Sequence, residues 1–247
     1  MRGLFALLVF CIIASQANAA NLLVLNTVGK PPLNTPEQTG FMDRVTAEAL
    51  RRIGYRMQTV ALPAERGLRN VDAGIDDGEM SRVEGMEKLY PNLVRVPEKI
   101  MSWDFCVFTN KDIHFTGKWS DLKPYNVSFI NGWKILEEKV PQEAGVFTIK
   151  YPPQLFALLE KHRTDIVIYE RWGGLQLIKT KGYSDIHILQ PPLVMKDVYI
   201  FLNKKHRDLV PKLNQALLEM KHDGSYQEIY SETLGPLVKL STVTNRQ

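Results

Sequence analysis

Residues 65–98 read ERGLRNVDAGIDDGEMSRVEGMEKLYPNLVRVPE, and this stretch decides the fold class. A helix opening at Pro63 runs through Val71, and Gly74 ends it in the usual C-terminal place. Residues 75–80 then read as a short strand, and Ser81 and Arg82 follow it into a loop. In open α/β sheets ligands bind beyond the strand ends. An arginine there can hold an anion through two parallel N–H bonds. The competing reading is a solvated arginine in a surface loop, the common state of a charged side chain.

Upstream, residues 21–28 (NLLVLNTV) are short, apolar and β-branched, the pattern of a buried strand. Pro31, Pro32 and Pro36 enforce a loop. Residues 41–53 place Val45, Ala49, Leu50 and Ile53 on one helical face, and Gly54 closes that helix. A second strand covers 57–62. Together with 75–80 this is β-α-β-α-β, a parallel sheet with right-handed crossovers. Residues 93–96 and 103–109 are two further extended runs, and the polar run 111–118 marks a boundary.

A second α/β unit follows. Strands are expected over 127–130, 147–151, 165–170, 186–190 and 197–202. Helices are expected over 134–140, 154–162, 172–179, 207–220 and 226–233, and a frayed tail from Val238. Two units joined by two crossovers, near Cys106 and near Tyr199, predict two lobes with a cleft that closes on a ligand. Glu170 ends its strand as Arg82 follows its own, so the pair places opposite charges in different lobes. Arg66, at a helix start, is a second candidate for the cation. Asn131, Gly132 and Trp133 could offer backbone N–H groups to an anion, and Trp133 is either a wall of the ligand site or a core residue.

Composition narrows the function. Arg2, the apolar run 4–14 and Ala17-Asn18-Ala19 form a signal peptide over 1–19 with cleavage after Ala19, which predicts export to the periplasm. Phe10 before Cys11 argues against a lipid anchor. The formal net charge of +4 is small and scattered along the chain, which argues against nucleic acid. Cys106 lies in an apolar run and reads as a buried structural thiol. The five histidines show no metal-ligand spacing, and Asp76, Asp77 and Glu79 read as turn and cap residues. No nucleophile elbow, phosphate loop or zinc motif is present, so neither a cofactor nor a metal is expected.

Several stretches, in order, carry a resemblance. They are Gly40-Phe41, Gly74-Ile75-Asp76-Asp77, Ser120-Asp121-Leu122-Lys123, Asn131-Gly132, residues 158–167 (LLEKHRTDIV) and residues 213–226 (LNQALLEMKHDGSY). Together they resemble the bacterial extracellular solute-binding proteins of family 3, the amino-acid-type binding proteins of ABC transporters, over nearly all of 21–235. The resemblance implies the periplasmic binding protein type II fold, α/β and two-lobed, each lobe a mixed, mainly parallel sheet flanked by helices. The first lobe is then 20–108 with 198–247, and the second 109–197. It implies a monomer that captures a small polar, amino-acid-like or carboxylate-bearing solute by hinge closure, performs no chemistry, and hands the solute to a permease. Glu170 falls where the family has the Asp that pairs the ligand ammonium, and Arg66 near a ligand-contact position. The family's Thr-x-x-Arg before Phe-Ser-x-Pro-Tyr is replaced here by residues 89–98, and Arg82 comes earlier. The same fold also resembles periplasmic dehydratases of cyclohexadienyl acids, in which Glu170 would be a general acid, and sensory proteins that dock on a membrane receptor.

Overall fold

The structure is a computed structural model and describes residues 21–241. The expected signal peptide and its cleavage site lie outside the described residues. Strand β1 (Asn21–Thr27) pairs in parallel with β2 (Tyr55–Ala61) on one side and with β3 (Gly78–Arg82) on the other. Helix α1 (Phe41–Arg52) connects β1 to β2, and α2 (Ala64–Asp72) connects β2 to β3. This is the expected β-α-β-α-β unit. The apolar face of α1, with Phe41, Met42, Val45, Ala49 and Leu50, is fully buried. Each of these side chains except Ala49 contributes about 1.5–3 kcal/mol relative to exposure.

After the short β4 (Leu93–Arg95) the chain enters β5 (Met101–Thr109). The second unit is β6 (Asn126–Ile130), α3 (Lys134–Lys139), β7 (Gly145–Ile149), α4 (Pro152–Glu160), β8 (Ile166–Glu170) and α5 (Arg171–Lys181). Strand β6 pairs in parallel with β7 and β8. The short β9 (His187–Ile188) lies along β5, and β10 (Val194–Asn203) returns. Helices α6 (Val210–His222) and α7 (Ser225–Thr233) then pack on α1. Phe41 there meets Tyr226 and Tyr230 edge-on, at 5.4 and 5.9 Å between ring centroids.

The strand order is β2-β1-β3-β10-β5-β8-β6-β7, with β4 on β10 and β9 on β5. Two long strands make this continuity. The first half of β10 pairs antiparallel with Met101–Phe105 of β5, and its second half turns to β3 and β4. The far half of β5 pairs with β8. One antiparallel ribbon thus joins the two lobes. Cys106, in the middle of β5, is fully buried, and that burial pushes its thiol up to about 12.

Three expectations need correction. The strand expected over 75–80 begins only at Gly78, and Arg82 is its last residue rather than part of a loop. Asp76 accepts hydrogen bonds from the amides of Asn26 and Asn70, and Asp77 from the backbone of Val24, so both residues belong to a turn. Ile75 is left 69% exposed. The strand expected over 147–151 sits two residues earlier, since Pro152 already opens α4. The tail expected to fray from Val238 is helical: α8 (Gly235–Ser241) packs on α5, with Leu234 and Leu237 buried beside it. Residues 242–247 lie outside the described residues.

Candidate functional site

Arg82 is 8% exposed at the end of β3. Its Nη2 donates to the Ala64 carbonyl at 3.3 Å and lies 3.1 Å from Glu79 Oε1. The ion pair is close but off-axis, and neither Glu79 oxygen accepts a well-directed hydrogen bond. Glu79 is fully buried, and desolvation pushes its carboxyl up to about 7 against the pull of Arg82. It is therefore not the turn or cap residue expected. The Arg82 Nε–H is buried without a partner.

Glu170 ends β8 and caps α5. Oε1 accepts the Trp172 N–H at 3.0 Å and Oε2 the Gly173 N–H at 2.7 Å. Burial pushes this carboxyl up to about 7, although the two backbone donors pull the other way. Its neighbour Arg171 pairs instead with Asp104 at 2.8 Å.

Arg82 and Glu170 line one cavity of about 500 Å³. Val28, Gly29, Lys30 and Leu33, in the segment after β1, form part of its wall. That segment is held by the Asp43 carboxylate, which accepts from Asn34, Thr35 and Gly40 at the start of α1. Gly29 is needed there because a Cβ would stand 1.9 Å from Asn34 Oδ1. Trp103 and Phe105 from β5, Trp133, Ile135 and Tyr169 complete an apolar wall. Trp133 stacks on Tyr169 at 5.0 Å and meets Phe105 edge-on at 5.2 Å.

The other expected site residues divide. Trp133 and Gly132 line the cavity, but Arg66 and Asn131 do not; both are exposed. Nor are the N–H groups of residues 131–133 free for an anion. Asn131 donates to Ile149 O, Gly132 to Glu137 Oε1 at 2.8 Å, and Trp133 to Ile130 O. Among the described residues no group of three or more His, Cys, Asp or Glu could hold a metal ion, and no helix is long and apolar enough to cross a membrane.

No family model matches the chain. An uncharacterized protein of Shewanella oneidensis is 26% identical over 243 residues, covering 91% of this chain and 89% of that protein. Among solved structures, the GluR0 ligand-binding core in complex with L-glutamate superposes with a TM-score of 0.75 at 15% identity, covering 87% of this chain and 99% of that one. The substrate-binding protein of an amino acid ABC transporter gives 0.65 at 18% identity, covering 86% and 99%. A histidine kinase sensor domain with similarity to periplasmic binding proteins gives 0.69 at 14% identity, covering 87% and 96%. This chain has the periplasmic binding protein type II fold.

In this binding-protein fold the cavity lies where β3 and β8, one strand from each lobe, end on either side of the β5–β10 ribbon. Sequence reasoning missed Ser81, Trp103 and Phe105 as lining residues. The signal for the last two was their spacing of two along β5, which puts both rings on one face. Ser81 carried no signal of its own beyond its place beside Arg82.

Proposed function

We propose that this chain is a periplasmic solute-binding protein that captures a small carboxylate-bearing solute between its lobes and closes on it. The observation that carries this reading is that Arg82 and Glu170, from different lobes, line one aromatic-walled cavity. A solute touching both walls stabilises the closed arrangement over the open one, which is what closure requires. In this reading residues 20–108 with 198–247 move against 109–197 about the β5–β10 ribbon. Arg82 holds the solute carboxylate and Trp133 walls its body. The protein acts as a monomer in the periplasm and hands its solute to an ABC transporter permease. The likeness to a transporter's substrate-binding protein supports that destination, and the likeness to a sensor domain supports a membrane receptor.

A thermal-shift screen of the refolded, ligand-stripped chain against amino acids, amines and carboxylates tests the reading. A ligand at a hundred times its Kd adds about 2.7 kcal/mol, a rise of roughly 5–10 °C. Silence across the whole panel sinks it.

A second reading is favoured by one observation: burial holds Glu170 near 7, where a carboxylic acid can still donate a proton at neutral pH. The chain would then dehydrate a cyclohexadienyl acid with Glu170 as general acid. Appearance of aromatic absorbance on incubation with such an acid, abolished in Glu170→Gln, is its signature.

A further inference from the structure

We propose that the cavity takes an apolar or aromatic carboxylate that lacks an α-ammonium group, rather than a zwitterionic amino acid. The inference rests on the binding reading above and names its ligand class. It follows from an imbalance in what the walls offer. Three lining residues carry a buried polar atom with no protein partner: Ser81 Oγ, Arg82 Nε and Trp103 Nε1. All three can donate a hydrogen bond, and two of them can do nothing else. Each has been removed from water without a replacement, a cost that an acceptor on a ligand cancels. A carboxylate supplies about four acceptor sites on two oxygens and brings no donor of its own, which suits a lining that holds these three donors. Lys30 adds an ammonium group to the lining, which further favours an anion, while that of Lys134 is paired with Glu137.

The acceptor side is poorer. Glu170 is the one carboxylate among the lining residues. Each of its oxygens already accepts one backbone donor at the start of α5, so half of its acceptor sites are taken and its charge is held by the helix end. An ammonium group brings three donors into a place that is already donor-rich. The remaining wall is Trp103, Phe105, Trp133 and Tyr169, which suits an apolar body behind the carboxylate.

Calorimetric titration of the refolded, ligand-stripped chain with matched pairs tests this. Each pair differs only in the α-ammonium: 3-phenylpropionate with L-phenylalanine, indole-3-propionate with L-tryptophan, and 4-methylpentanoate with L-leucine. The expected result is that the plain carboxylate of at least one pair binds ten times or more tighter than its amino acid. Ser81→Ala should weaken that carboxylate about tenfold, as loss of a hydrogen bond to a charged group does, with an unchanged melting temperature. An amino acid that binds equally or better overturns the inference and leaves the binding-protein reading standing. So does a carboxylate whose affinity ignores Ser81→Ala. No heat from any member of any pair overturns the inference, and silence in the broader thermal-shift panel as well removes the reading beneath it.

Discussion

Arg82 and Glu79 are two residues of one strand that bury opposite charges with imperfect geometry. Arg82→Ala should disturb the fold as well as the cavity, because the substitution leaves Glu79 buried with its principal counter-charge gone. The pH dependence has a definite sign. Glu79 is already raised from 4.5 to about 7, so the folded state binds more protons than the unfolded state between those values, and stability falls as pH rises through that window. Removing Arg82 raises the folded pKa further. Arg82→Ala should therefore lower the melting temperature clearly at pH 8 and much less at pH 5, and adding Glu79→Gln should remove most of that difference. Equal losses at both pH values would contradict the coupling. Glu170 was legible as a strand-end carboxylate, but its engagement of two N–H groups of α5 was not, since Ser, Thr, Asp and Asn are the side chains that mark helix starts in a sequence.

At the scale of elements, α5 sits unusually close to β5. A Cβ on Gly174 would lie 2.3 Å from Cζ of Phe108. Gly174→Ala should cost about 1–3 kcal/mol, and Phe108→Leu in the same chain should return part of that, read as non-additive melting temperatures. The last helix is a second case. Ending the chain after Thr233 removes Leu234 and Leu237, both buried, and should cost roughly 3–6 kcal/mol in chemical denaturation. The helices with strong apolar stripes, α1 and α6, were legible from periodicity. Strand β3 was displaced because Ile75 looks like a strand residue while the two aspartates behind it are bound up in a turn. Helix α8 was overlooked because seven residues are too few for a periodic signal to stand out.

The whole molecule is organised by the β5–β10 ribbon, which the sequence exposed only as two crossovers. The two α/β units were readable from the alternation of strands and helices, but the placing of β10 between β3 and β5 was not. The cavity was not, because Arg82, Trp103 and Glu170 are far apart in the chain and meet only once the sheet is assembled. If the lobes close on a solute, small-angle scattering should report a smaller radius of gyration with a bound carboxylate than without, and an unchanged radius at saturation would rule out closure. Cys106 bears on how that motion could be watched. Sealed in β5, with burial holding its thiol in the protonated form, it should stay unreactive toward maleimides and disulfide reagents. In a chain beginning at Ala20, cysteines introduced at the exposed positions Lys161 and Lys212 would be the only thiols a dye could reach. The native core thus leaves the surface clear for a donor and an acceptor fluorophore, one on each lobe, whose separation in single molecules would report closure directly.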